Sequence, residues 1–468
     1  MHKTKEQLQK YSPLFTHYTE LRVQENTNIS VSMLNGDVQQ NSKATTSGSS
    51  ARVFKNGVWG FASTPQITDE DIEDIINDAT QNAVFMYEKQ QTSPQELKVS
   101  ELPKEKTSSV NDFSTKKKKA TQKELLDFLG KLDEYIATKY EDVTSRTLYL
   151  GSLDVRKSLY TSDDSYFFSM VPRTILYVNL AMTHKEDGST IELYDVLGGL
   201  GEFPDVFENA QDLFPKIDTI YSHLQDKTQG IYPDAGIKEC IIDADVAGIL
   251  AHEAIGHTTE ADLVQGGSIA GEFMNKEVGS ELVNIVDFAH TFNNEICPVP
   301  VFVDDEGTPS EDTIIIENGV LRNYMHNKES AVTFKASPTG NARASTFLDE
   351  PLIRMRNTAF LPGKSKLEDM IKSIDDGYYL MKSSNGQADS TSEFMFGIVL
   401  AYEIKNGKLG RALKDFTISG VAFDVLKTVT MVSEDMSWSC GGMCGKKQSI
   451  TVGMGGPAIK CKINIGGK

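Results

Sequence analysis

His252, Glu253 and His257 are the residues whose types and spacing are best suited to chemistry in this sequence. Imidazole nitrogens are common zinc ligands, and a glutamate placed beside a ligand can act as a general base. The surrounding residues are mostly apolar, and imidazoles and carboxylates are costly to bury unless they coordinate an ion or pair with one another. The sequence therefore predicts a metal site on a buried element.

The two histidines are five residues apart, whereas the zinc-protease pattern His-Glu-x-x-His places them four apart. On an ideal α-helix a spacing of four returns the second side chain to within about 40° of the first, and a spacing of five leaves about 140° between them. Both can bind one ion only if the helix widens or ends between them, and Gly256 is where a π-type bulge costs least. The spacing alone leaves open that the histidines are unrelated core or surface residues.

A catalytic zinc site needs three protein ligands, so a further ligand must come from elsewhere in the chain. The candidates are Glu260 and Asp262, just after the second histidine, and a distant cysteine. Cys444 lies in a glycine-rich segment whose backbone can approach an ion closely, and the nearby Lys446 would favour the ligating thiolate. The alternative is that Cys444 is a small buried residue in a glycine-rich turn.

Asp304 opens an acidic segment, residues 304–308, at the end of a strand-like run. Aspartate and glycine are typical turn residues, and a turn is the favoured interpretation. The segment could alternatively order the histidines by hydrogen bonding to them. No Gly-x-Ser-x-Gly pattern marks a serine nucleophile near a strand end, although Ser-His-Asp and Cys-His groups remain open.

The histidines are expected on a helix that follows a short strand, residues 239–242. Asp243 can cap this helix, because its carboxylate can accept a hydrogen bond from a backbone N–H of the first turn. An apolar stripe at helical spacing predicts the buried face, which consists of Val246, Ala247, Ile249, Leu250 and Ala254.

The length of 468 residues predicts two or more domains. We expect an α+β fold, with an N-terminal domain of antiparallel strands and helices over residues 1–231. A mainly antiparallel β domain over residues 232–468 is expected to carry the buried catalytic helix. Tight hairpins are predicted at four Asn-Gly pairs, which are Asn35-Gly36, Asn56-Gly57, Asn318-Gly319 and Asn406-Gly407.

Two capping boxes, which begin at Thr121 and Ser365, predict the starts of further helices. Residues 299–304 are predicted to form a strand. The polar residues 90–120 indicate a linker or long loop, and their basic run at 116–119 is interpreted as solvated.

The formal net charge is −19 at pH 7 and the pI is about 4.9. Nucleic-acid binders usually carry a basic face for phosphate contacts, so nucleic acid is not expected as a substrate. No stretch has the apolar length of a membrane span, and the first residues lack a secretory signal. Five cysteines in so long a chain do not form a disulfide framework, and we expect a cytoplasmic protein.

The second half of the chain resembles the TldD/PmbA family, whose members were formerly described as modulators of DNA gyrase. The resemblance begins at the sequence His252–His257 with the Glu-Ala-Asp that follows it. It continues, in the order of the family, through residues 304–308, 316–320, 338–343, 355–358, 361–363 and 443–446. The first half agrees in length and pattern but carries no motif of comparable specificity.

The resemblance implies a zinc metallopeptidase in which His252, His257 and Cys444 hold Zn²⁺ and Glu253 activates the zinc-bound water. It leaves Glu260 and Asp304 as residues that would orient the ligands or contact the substrate. PmbA (TldE) members lack the His-Glu-x-x-x-His motif, so this chain is similar to the active TldD members. Cys440 matches no residue of the family pattern.

The family acts on peptides and unfolded proteins, and its members form dimers. The resemblance therefore implies such substrates here, and either a homodimer or a heterodimer with a PmbA-like member. An alternative stays open, in which the chain is a non-catalytic partner or scaffold subunit of a TldD/PmbA-type complex with a structural metal site.

Overall fold

The computed structural model describes residues 3–91, 101–103, 106–184 and 188–466. The fold is mixed α+β. Its helices are α1 (Lys5–Gln9), α2 (Asp69–Gln91), α3 (Gln122–Lys139), α4 (Phe203–Val206), α5 (Phe214–Thr228), α6 (Ala244–Ile249), α7 (Ala261–Gln265), α8 (Lys328–Phe334), α9 (Leu367–Lys372) and α10 (Ala422–Lys427).

The first half of the chain builds one seven-stranded sheet with the order β3-β2-β1-β5-β6-β4, in which β7 also pairs with β6. All pairs are antiparallel except β4 with β6. The strands are β1 (Tyr18–Leu34), β2 (Asp37–Lys55), β3 (Val58–Thr64), β4 (Ser108–Asp112), β5 (Val143–Thr161), β6 (Tyr166–Thr183) and β7 (Thr190–Leu200).

Helices cover the N-terminal sheet in two places. Helix α2 packs on β2 and β3, while α3 and α5 pack on strands β1 and β5 to β7. The core under α3 and α5 also includes Leu400, Tyr402 and Ala412 from the second half. The two halves of the chain therefore share one hydrophobic core.

The second half forms two larger sheets. Its strands are β8 (Gly236–Ile242), β9 (Ile285–Phe288), β10 (Thr291–Phe292), β11 (Glu295–Ile296), β12 (Thr313–Glu317), β13 (Val320–Leu321), β14 (Ala342–Arg343), β15 (Leu352–Ile353), β16 (Asn357–Phe360), β17 (Asp376–Ala388), β18 (Glu393–Lys405), β19 (Lys408–Ala412), β20 (Phe416–Val421), β21 (Met431–Val432), β22 (Ser437–Ser439), β23 (Met443–Lys446), β24 (Gln448–Thr451), β25 (Gly453–Gly456) and β26 (Ile459–Ile465).

One of these sheets closes on itself, because the order β17-β8-β26-β20-β18 is completed by pairing of β18 with β17. The other has the order β13-β12-β9-β16-β25-β22. Most pairs are antiparallel as predicted, but β8 with β17 and β16 with β25 are parallel. Helix α6 packs against β17 of the closed sheet and against β25 of the other sheet. The helix that leads to the histidines is thus held between two sheets.

The sequence predictions for local structure are confirmed at the hairpins and at α3. Asn35 and Gly36 have φ values of 50° and 86°, as a type I′ turn requires, and the other Asn-Gly pairs also have positive φ. Thr121 caps α3 through the predicted capping box.

Two local predictions are wrong. Residues 299–304 form no ladder, and their one bridge joins Val303 to Pro309. The flanking Pro298 and the internal Pro300 lack the N–H that a paired strand needs. Ser365 caps no helix: Lys366 is the N-cap of α9, and the Ser365 backbone N–H donates to the Val432 carbonyl.

The predicted linker at residues 90–120 is only partly an irregular segment. Residues 92–100, 104 and 105 lie outside the described residues. Ser108–Asp112 forms strand β4, which pairs in parallel with β6. Its residues alternate only between exposed and partly buried positions, and none is fully buried. This explains why the polar sequence suggested a loop.

Candidate metal centre

The predicted histidine helix follows strand β8 as expected. The Asp243 carboxylate accepts from the Ala244 N–H at 2.9 Å and from the Tyr379 hydroxyl at 2.6 Å, so the cap is also tied to β17. Helix α6 then runs from Ala244 to Ile249 and continues without a break into a π-helical turn, Leu250–Gly256. The end of strand β8 thus positions the cap Asp243, the cap positions helix α6, and α6 leads directly into the turn that carries the histidines.

The π-helical turn brings the two histidines together. The backbone N–H of His257 donates to the carbonyl of His252, which is the i to i+5 bond of a π-helix. The imidazole centroids are 5.2 Å apart. Side chains five residues apart would point in different directions on an ideal α-helix. In this wider helix they are one turn apart and therefore lie on the same side.

Gly256 is needed here for close packing, not for conformational freedom. Its φ is −58°, which any residue adopts in a helix. A Cβ at this position would lie 1.9 Å from Sδ of Met355, a fully buried residue. The wide turn lies where the sequence predicts it, but the physical reason for glycine is the neighbouring methionine.

Cys444 reaches the histidines from a separate hairpin, β23 with β24, in which Cys444 lies opposite Ile450. Lys447 forms the turn with a φ of 57°. The Cys444 Sγ is 3.4 Å from Nε2 of His257. The glycine-rich end of the chain is thereby folded against the π-helical turn.

The ligand atoms of His252, His257 and Cys444 all lie within 4.8 Å of one another. Zinc bonds of about 2.3 Å to sulfur and about 2.05 Å to nitrogen, at a tetrahedral angle, would place the sulfur about 3.6 Å from each nitrogen and the two nitrogens about 3.3 Å apart. The observed 3.4 Å from Cys444 to His257 agrees with such a shared ion.

His252 gives a second, independent indication of a ligand. Its side chain is fully buried, and neither Nδ1 nor Nε2 has a hydrogen-bond partner among the described residues. Buried polar atoms are rarely left without a partner, because the loss of hydration costs about 1–3 kcal/mol. The residues present therefore fit a bound metal ion.

Glu253 lies beside the group of donor atoms formed by His252, His257 and Cys444. Its Oε2 is 3.7 Å from Nε2 of His257, beyond a direct hydrogen bond, and 20% of its side chain is exposed. Burial raises the pKa of Glu253, while the neighbouring His257 lowers it. A carboxylate with a raised pKa that faces a donor cluster is suited to accept a proton.

Glu260 fixes the ring of His257 from the opposite side. Its Oε2 is 3.0 Å from Nδ1 of His257 and 3.2 Å from Nζ of Lys446. A carboxylate on one ring nitrogen sets the tautomer and leaves the other nitrogen for a metal. Lys446 also pairs with Asp262 at 2.7 Å. The lysine predicted to assist Cys444 thus contacts the histidine through Glu260.

The two histidines differ in their electrostatic surroundings. Burial lowers the pKa of His252 far below its usual range, and the charges of His257, Arg354 and Arg343 lower it further. Burial also opposes the charged form of His257, but hydrogen bonds to Cys444 and Glu260 outweigh it and raise its pKa to about 10. An ion at the site would compete with this proton for Nε2.

Asp304 is not part of this cluster. Its carboxylate accepts from the backbone N–H groups of Glu306, Thr308 and Ala342 at 2.8–3.0 Å. Burial and the charge of Glu306 raise its pKa to about 7. These contacts are those of a turn, the favoured sequence interpretation, and they tie that turn to Ala342.

Sequence reasoning missed the arginines that hold the Cys444 hairpin. The fully buried Arg354 donates to the carbonyls of Cys444 at 2.7 Å and Gln448 at 2.8 Å. Arg343 donates to the carbonyls of Met355 and Thr451, and Arg173 of the N-terminal sheet donates to those of Cys440 and Gly442. Contacts to backbone carbonyls leave no pattern in the sequence. The only signal was that Arg343 and Arg354 lie in or beside the segments that resemble the family.

The family model for the PmbA/TldA metallopeptidase C-terminal domain matches residues 235–467, and that for domain 1 matches residues 19–83. A zinc metalloprotease TldD homolog of Saccharolobus solfataricus is 31% identical over 428 residues, which cover 90% of each chain. The chain belongs to the PmbA/TldD family. Another PmbA/TldD relative, metalloprotease MJ0996 of Methanocaldococcus jannaschii, is 31% identical over 466 residues and covers 95% of each chain.

Solved structures of lower identity share the PmbA/TldD fold. TldE from Thermococcus kodakarensis is 17% identical with a TM-score of 0.76, and the match covers 98% of this chain and 99% of that one. A putative modulator of a DNA gyrase from Thermotoga maritima is 19% identical with a TM-score of 0.77, and the match covers 98% of each chain.

The described part of this PmbA/TldD member contains no helix both long and apolar enough to cross a membrane. Its curated relatives are named metalloproteases, which supports a peptidase-type enzyme at the level of the family.

Proposed function

We propose that this chain is a zinc-dependent peptidase in which His252, His257 and Cys444 hold the ion and Glu253 is the general base. The observation that carries the proposal is the convergence of three donor atoms within 4.8 Å, with the Glu253 carboxylate 3.7 Å from one of them. The names of the family and of its curated relatives agree with it. Two imidazoles and one thiolate leave a fourth position open, as catalytic zinc sites require.

The protein side chains divide the work of peptide hydrolysis. Zinc, when bound, supplies Lewis-acid polarisation and makes water more acidic. Glu253 takes the proton of the attacking water and passes it to the leaving amine. Glu260 keeps His257 in the orientation in which Nε2 faces the donor cluster, through its bond to Nδ1.

The substrates we propose are peptides and unfolded proteins, because an extended chain can present its backbone to the partly exposed Glu253. The partner we propose is a second copy or a PmbA-like member, as the family resemblance implies. A cytoplasmic location agrees with Cys240 and Cys461, which lie opposite each other on β8 and β26 and are both free.

A peptide-cleavage assay with matched variants tests the proposal. The zinc-loaded chain, alone and with a PmbA-like member, should cleave unfolded peptide. Glu253→Gln should keep the zinc and lose cleavage by about 100-fold or more, since general-base catalysis contributes about 10²–10⁴. A variant Glu253→Gln that retains full activity would refute the assigned base.

The alternative is a non-catalytic partner or scaffold subunit whose metal is structural. The similarity in fold to a TldE is the observation that favours it. One zinc per chain without cleavage of any unfolded peptide, alone or with the partner, would select this alternative.

A further inference from the structure

A cavity of about 550 Å³ lies between the N-terminal sheet and the second half of the chain. Two of its lining residues are neighbours of the candidate metal centre. Ile249 precedes His252 by three residues on the same helix, and Met443 directly precedes Cys444. The cavity therefore borders the two elements that carry the proposed metal ligands, the histidine helix and the Cys444 hairpin.

The walls of the cavity are rich in aromatic rings. Tyr177 and Tyr194 stack with centroids 5.1 Å apart, and Tyr149 and Trp438 also line the space. Tyr194 is anchored by its hydroxyl, which donates to the Ser383 carbonyl at 2.8 Å. Aromatic faces attract cations as well as apolar groups.

The charges in the cavity leave one carboxylate without a cation. Asp195 pairs with Lys382, whose ammonium also lies 5.5 Å from the ring centre of Tyr194. Asp245 accepts from the backbone N–H and the hydroxyl of Ser383 at 3.0 and 2.9 Å, both on Oδ1. No Lys, Arg or His among residues 3–91, 101–103, 106–184 and 188–466 forms an ion pair with Asp245.

We infer that this cavity is a subsite for a basic side chain, Arg or Lys, of the peptide substrate. Two carboxylates and one ammonium give the lining a net charge of −1, and the free Oδ2 of Asp245 can receive the cation. The faces of the tyrosine rings would contact the aliphatic part and the charged group of the bound Arg or Lys side chain. The inference rests on the proposed function, because it names the substrate class of that same site.

Binding of paired peptides tests the subsite without any turnover. The full chain with Glu253→Gln, loaded with zinc, is titrated with short fluorescent peptides that differ only in carrying Arg or norleucine at one position, which is moved along the peptide. The Arg peptide should bind about tenfold more tightly at one position, as an ion pair with cation–π contact predicts. Equal affinities at every position would overturn the inference.

Three substitutions assign the preference to this cavity. Asp245→Asn should reduce the ratio of the Arg to the norleucine affinity to about one, whereas Asp375→Asn, an exposed aspartate outside the cavity, should leave it unchanged. Lys382→Met removes the competing cation and should increase the ratio, which keeps the test decisive if Asp245→Asn does not fold. An unchanged ratio in both Asp245→Asn and Lys382→Met would overturn the inference.

The subsite and the proposed function fail in different ways. If the chain with Glu253 intact binds the Arg peptide with the expected preference but cleaves no peptide, the proposed function is wrong and the subsite stands. Cleavage and binding without preference for Arg or Lys contradict the subsite alone.

Discussion

The backbone N–H of His257 donates to the carbonyl of His252, five residues earlier, and this single bond places both imidazoles on one side of a π-helical turn. A four-residue spacing would have done so on an ordinary α-helix. The wider turn needs room, and that room is available because Gly256 presents no side chain to Met355.

Gly256→Ala should therefore destabilise the fold around the histidines. The added Cβ would lie 1.9 Å from Met355 Sδ, and overpacking of a buried site costs about 1–3 kcal/mol. Urea unfolding measures the loss, and a chelator competition should show weaker zinc binding as the turn shifts.

A matched glycine serves as the control for this substitution. Gly130 lies within helix α3, and a Cβ there meets nothing within 4 Å. Gly130→Ala should stabilise the protein by about 0.5–1 kcal/mol, because alanine loses less backbone entropy in a helix. Equal effects of the two substitutions would show that the contact with Met355 is not the reason for Gly256.

Arg354→Met should loosen the hairpin that carries Cys444. The guanidinium is fully buried and donates to the carbonyls of Cys444, Gln448 and Lys446, which would all lose this donor. We expect a loss of about 3 kcal/mol or more in the free energy of unfolding, together with weaker zinc binding.

The exposed Arg322 provides the comparison for Arg354. It pairs with Glu317 at 3.4 Å, and both side chains are more than two-fifths exposed. Arg322→Met should cost less than about 1 kcal/mol and leave zinc affinity unchanged. If Arg354→Met is as mild, the hairpin does not depend on its arginine.

The stability of the protein should depend on pH through His326. Burial lowers the pKa of this histidine to about 4, whereas the unfolded chain has a value of about 6.5. Between these values the unfolded state binds more protons, so stability falls as pH falls from 6.5 towards 4, by roughly 3 kcal/mol in all. His326→Gln should flatten this part of the curve, and parallel curves for the two proteins would refute the assignment.

The site could be predicted from the sequence as far as local chemistry extends. The histidine spacing implied a widened helix near Gly256, and Asp243 marked the start of α6. The Asn-Gly pairs predicted the hairpins correctly, because both residues of a type I′ turn need positive φ. Cys444 was one of several candidates on residue chemistry alone, and only the family resemblance singled it out.

The predictions that were wrong or missing concern residues whose hydrogen-bond partners lie far away along the chain. Ser365 carries a capping pattern but pairs with the segment at Val432, and the buried Arg354 bonds to carbonyls 90 and 94 residues away. Residues 299–304 have the apolar character of a strand, yet their prolines prevent pairing. Local patterns cannot report such long-range hydrogen bonds.

The zinc content of Cys444→Ala, compared with that of Cys440→Ala, tests the central claim most directly. Both cysteines lie in the same glycine-rich segment, but only Cys444 approaches His257, while the Cys440 thiol donates to the Val196 carbonyl. After dialysis against a weak chelator, we expect one zinc per chain in the wild type and in Cys440→Ala, and none in Cys444→Ala. Retention of one zinc by Cys444→Ala would contradict a site built from His252, His257 and Cys444.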